Sequence, residues 1–91
     1  MYLHLGNETL VRTKDLIGIF DLENTSVSKA TKGFLAQADK LGRVVNVSME
    51  MPKSFVVTLD EELTERVYVT NIACRTLFLR SKRQAVQSAG I

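Results

Sequence analysis

The sequence predicts a small, strand-rich α+β domain with one central amphipathic helix and a second helix toward its C-terminus. Three observations lead there. An apolar run, Leu16-Ile17-Gly18-Ile19-Phe20, precedes a stripe of apolar residues at helical spacing that stops at Gly42, and the β-branched run Arg43-Val44-Val45-Asn46-Val47 follows. The remaining strand candidates are short and separated by turn residues. At 91 residues, with 45% hydrophobic and 24% charged residues, the chain reads as one ordinary globular domain with a modest core.

Tyr2 to Leu5 alternates in strand fashion, Gly6-Asn7-Glu8 reads as a tight turn, and Thr9-Leu10-Val11-Arg12 resumes extended structure, so residues 2–12 form a hairpin. Thr25 and Ser26 are the expected N-caps of the central helix, because their hydroxyl oxygens can accept from unpaired amides of the first turn. Val27, Ala30, Thr31, Phe34, Leu35, Ala38 and Leu41 share one helix face, and Lys29, Lys32, Gln37 and Lys40 fall outside it. Gly42 suits a left-handed helix stop, with Lys40 complementing the negative end of the helix dipole. Gly33 costs the helix interior roughly 1 kcal/mol relative to alanine, which points to a close backbone approach there.

Val44 to Val47 and Ser54 to Thr58 are strands by their β-branched content, with Pro52 interrupting the segment between them. The acidic stretch Leu59 to Glu65 turns the chain into Arg66-Val67-Tyr68-Val69-Thr70, a hairpin partner for the Phe55 strand. Ile72, Ala73, Leu77, Phe78 and Leu79 recur at helical spacing, with Thr70 and Asn71 as expected caps. The domain is expected to span residues 1–80, and residues 81–91 to form a basic, frayed tail.

The chemistry-bearing residues exclude more than they suggest. A single cysteine, Cys74, and a single histidine, His4, give neither an intramolecular disulfide nor a standard zinc cluster. His4 lies on the Tyr2 side of its strand and reads as a surface residue, and Cys74 reads as a small hydrophobe. Asp60, Glu61, Glu62 and Glu65 lack the alternating oxygens and glycine of a calcium loop, so they read as a solvated turn. No acid, base, metal or cofactor constellation results. The chain is therefore expected to be no enzyme and to carry no cofactor. With no long apolar run and no signal-like N-terminus, it is expected in the cytoplasm, away from membranes.

Net charge is only +2, but its distribution is uneven. Residues 46–65 carry one basic and five acidic groups, whereas residues 66–91 carry five basic and none acidic. Arg75, Arg80, Lys82 and Arg83 can neutralise phosphates. If the last helix extends that far, Arg75, Leu79 and Lys82 share one face, and Arg80 and Arg83 another.

Met1-Tyr2-Leu3-His4-Leu5-Gly6-Asn7, Val11-Arg12-Thr13-Lys14-Asp15, Ile17-Gly18-Ile19-Phe20-Asp21, Gly42-Arg43-Val44-Val45-Asn46 and Pro52-Lys53-Ser54-Phe55 together resemble the RemA/RemB family of small bacterial extracellular-matrix regulators, nearer its RemB branch. The resemblance implies a ring-shaped homo-oligomer, and, from the RemA branch, DNA binding that activates biofilm-matrix genes. RemA-type proteins carry adjacent arginines where this chain has Met49-Glu50-Met51-Pro52. Cations for double-stranded DNA would then come from Lys53, Arg43, Lys32, Lys29 and Lys40, or from Arg80, Lys82 and Arg83. Contacts of this kind engage phosphates and DNA shape rather than base edges. A second reading is an oligomeric scaffold that engages a protein partner, its own paralogue included, through the methionine loop.

Overall fold

A computed structural model describes residues 1–23 and 28–89, with side chains described to Lys82. The N-terminal hairpin joins β1 (Tyr2–Gly6) to β2 (Thr9–Arg12). Asn7 and Glu8 take φ of +43° and +63°, the left-handed pair of a two-residue hairpin turn. Leu3, Leu5 and Val11 point inward, while Tyr2, His4 and Leu10 face out, as the alternation requires.

A four-stranded sheet forms the centre, in the order β3 (Leu16–Asp21), β5 (Ser54–Leu59), β6 (Glu65–Thr70), β4 (Val44–Asn46). β5 pairs antiparallel with both β3 and β6, and β4 lies parallel to β6. Five consecutive residues of β5, Ser54 to Thr58, are buried, as expected of a central strand covered on both faces. Its alternate side chains define two cores. Val56 belongs to one, with Leu3, Leu5, Val11, Val47 and Leu77, while Phe55 and Val57 belong to the other, with Ala38 and Val67. The hairpin and α2 (Cys74–Ala89) cover the first, and α1 (Lys29–Lys40) covers the second.

The central helix starts later than the sequence suggests. Ser28 is its N-cap, accepting from the Thr31 amide at 3.1 Å, and the expected caps Thr25 and Ser26 lie outside the described residues. Gly42 stops the chain in the left-handed region at φ +72°, as expected. The inference of a close approach at Gly33 does not hold: a Cβ there would meet nothing within 4 Å. Gly33→Ala is accordingly expected to raise stability by about 0.5–1 kcal/mol, read as an upward shift of the urea midpoint with an unchanged slope.

Thr70 and Asn71 do not cap the second helix, which begins at Cys74. Thr70 instead closes β6 and links the layers. Its hydroxyl, 1% exposed, donates to the Leu5 carbonyl at 2.7 Å and accepts from the Ile72 amide at 3.2 Å. Thr70→Val, which keeps the shape and deletes both bonds, is expected to cost about 1–3 kcal/mol in the same assay. The helical path of α2 continues to Ala89, through the segment from Ser81 that reads as a tail in the sequence, and Gly90 and Ile91 lie outside the described residues.

Candidate nucleic-acid interface

The crossover from β3 through α1 to β4 decides where the cations fall. β3 ends beside the start of β5, where the Leu22 amide donates to the Lys53 carbonyl at 2.8 Å. α1 ends at the start of β4, where the Arg43 carbonyl accepts from Val67 at 2.9 Å. Lys40 therefore lies toward the Arg43 end of the sheet, and Lys29 at the far end of the helix. Eleven helical steps separate them, roughly 16 Å.

Lys29, Lys32 and Lys40 fall within an arc of about 80° on the helix surface, at 100° per residue. All three are exposed, and their ammonium groups make no hydrogen bond or ion pair among the described residues. Lys53 is also exposed and unpaired there, and shares the alternation of Phe55 and Val57, which face α1. Arg43 differs. Its guanidinium stands 3.7 Å from Glu65, an exposed ion pair that partly neutralises it. Five of the eight sequence candidates thus surround α1, although Lys53 and Arg43 occupy opposite ends of the sheet.

The other three lie across the sheet on α2 and do not join them. Arg80 donates to the His4 carbonyl at 3.1 Å, so it clamps the helix to the hairpin. Lys82 sits 5.3 Å above the Phe78 ring in a cation–π contact. The side chain of Arg83 lies outside the described residues.

Other titratable groups have structural work. Arg12 grips Asp15 at 3.0 Å, and this bond raises the guanidinium's pKa. Lys14 bonds Glu61, and holds that carboxyl below its ordinary pKa. Asp60 accepts from the Glu62 and Thr64 amides at 2.9 Å each, shaping the β5–β6 turn. Burial raises the Cys74 thiol, with Asp21 adding to the effect, and its Sγ faces the Ile19 carbonyl at 3.8 Å. The thiol is thus held in its unreactive form.

Two features escaped the sequence reading. Phe20 and Phe34 both stack near Phe55, with ring centroids 4.9 and 6.2 Å away, beside an open cleft of about 390 Å³ between α1 and the sheet. The helical stripe is therefore only half covered: Ala38 is buried, but Phe34 and Leu41 remain 36% and 53% exposed. The second feature is the bracing of the loop at 47–53, which the sequence marks by its methionines and proline but not by its anchors. Val47 and Lys53 anchor its ends to Val69 and Thr70 through amide bonds of 2.9 Å, and Asn71 holds Glu50 at 2.6 Å.

No family model matches the chain. It is, however, 35% identical over 83 residues to Extracellular matrix regulatory protein B of Bacillus subtilis (strain 168), an alignment covering 90% of this chain and 91% of that protein. The chain belongs to the RemA/RemB family. For this RemA/RemB-family member the alignment extends across nearly the whole domain, so the likeness is not confined to one motif. Among its described residues no helix is long and apolar enough to cross a membrane.

Proposed function

We propose that this RemA/RemB-family chain is the subunit of a non-enzymatic, ring-like homo-oligomer that binds double-stranded DNA in the bacterial cytoplasm and regulates extracellular-matrix (biofilm) genes. The observation that carries the DNA reading is the set of four exposed lysines, Lys29, Lys32, Lys40 and Lys53, on the α1 side with no partner among the described residues. Each ammonium can replace a condensed counterion on a phosphate. Arg43 joins them when Glu65 releases it. The regulatory role rests on the relative named as an extracellular matrix regulatory protein.

Self-association is supported by exposed apolar side chains on several surfaces, among them Ile17 (62%), Phe20 (44%) and Phe78 (52%). A chain this small gains stability by covering them with copies of itself. Repetition also multiplies weak phosphate contacts on one long polymer. No element of the chain is assigned to base reading, so phosphate and shape recognition is the form proposed.

A second reading is a scaffold that engages a protein partner without touching DNA. Its support is the loop tip, where Met49 and Met51 are exposed beside Glu50, a carboxylate that repels phosphate. Two measurements test the pair of readings. The mass of the native assembly is expected to be several times that of one chain, and retardation of duplex DNA is expected to weaken steeply as salt rises. An assembly that retards no DNA at near-physiological salt would favour the scaffold, and a monomer would overturn the ring.

A further inference from the structure

We infer that Met49 and Met51 form a paired, reversible oxidation site that hydroperoxides convert to methionine sulfoxide without disturbing the fold. Methionine is an apolar core filler in most proteins, yet these two side chains are 97% and 83% exposed. Their thioethers contribute nothing to either core. They are also held out rather than left loose. The loop's two ends are hydrogen-bonded to Val69 and Thr70 of β6, the Asn7 side-chain amide donates to the Val47 carbonyl at 2.7 Å, and the Glu50 backbone amide donates to Ser48 Oγ at 3.1 Å. The Glu50 carboxylate accepts from the Asn71 side-chain amide at 2.6 Å, a further tie between the loop and the end of β6.

Each thioether sulfur attacks one oxygen of hydrogen peroxide. The O–O bond breaks, hydroxide leaves and takes up a proton to become water, and the sulfur, oxidised by two electrons, keeps the other oxygen. Repair reverses the balance: two thiols of a sulfoxide reductase pass to a disulfide while the sulfoxide oxygen departs as water. The hydrogen bonds that brace the loop are made by backbone, hydroxyl, carboxamide and carboxylate groups, none of which the oxygen transfer touches. What changes is the tip, from an apolar pair to two strongly dipolar groups. Any apolar contact made there is lost on oxidation and regained on repair. This inference does not depend on whether the protein binds DNA.

The test treats the native full-length protein with hydrogen peroxide and follows intact mass and peptide maps over time, with Met49→Leu/Met51→Leu as control. Both sites are expected to oxidise within about threefold of the rate of a free methionine derivative. The thermal midpoint should not move, the reductase should remove both oxygens, and the double variant should gain neither. Protection of either thioether by more than about tenfold would overturn the site. So would a fall in the thermal midpoint on oxidation, or a failure of the reductase to restore the original mass.

Discussion

Replacing Leu77 by alanine is expected to lower unfolding stability by about 2–5 kcal/mol, a large share of the 5–15 kcal/mol that holds a typical domain together. Leu77 is 0% exposed, and among the described side chains of α2 it is the one buried in the core with Leu3, Leu5 and Val56. Its neighbours in sequence, Phe78 and Leu79, are 52% and 50% exposed and provide the control. Leu79→Ala should cost less, about 1 kcal/mol in the isolated subunit, because half of its surface stays in water on folding. Equilibrium urea unfolding of the two variants measures the contrast. Equal losses for both would mean that α2 packs by a different face.

Joint replacement of Lys29, Lys32, Lys40 and Lys53 by alanine is expected to abolish most retardation of duplex DNA. In a double-logarithmic plot against salt, each lost phosphate contact removes about 0.9 from the slope, which near 0.1 M salt corresponds to roughly tenfold in affinity. Four contacts per bound subunit therefore correspond to a loss of up to about several thousandfold, enlarged further if several subunits of one ring engage the same duplex. Arg75→Ala with Lys82→Ala removes the same kind of charge from the α2 side, and is expected to leave the slope nearly unchanged. A slope that follows the α2 pair instead would move the interface to the opposite face. The lysines are exposed and unpaired, so the variant's unfolding midpoint checks that the fold has survived.

Much of the fold was legible in the chain because short-range periodicity carries it. The alternation of Leu3, His4 and Leu5 gave the hairpin and the outward histidine, and the β-branched runs gave β5 and β6. The start of α1 was less legible. Thr25, Ser26 and Ser28 are all competent caps by type, and only the geometry of the chain selects Ser28. Strand order was legible only where a short turn sets it, as between β5 and β6, since β-propensity says nothing about distant partners: the parallel seating of β4 on β6 depends on how α1 crosses the sheet. The candidate site shows the same division. Helical spacing put Lys29, Lys32 and Lys40 together, whereas the Arg43–Glu65 and Arg80–His4 contacts join residues far apart in sequence and remove two cations from ready service.

The two cores lie on opposite faces of one sheet, and β5 sends buried side chains into both. Val56 carries the hairpin and α2 side, while Phe55 and Val57, one peptide unit away in either direction, carry the α1 side. Substitutions at Val56 and at its sequence neighbours Phe55 and Val57 therefore loosen opposite layers of the domain. The sheet thus separates the lysine-bearing helix from the clamp of Arg80 on the hairpin, so each surface can be altered without touching the side chains of the other.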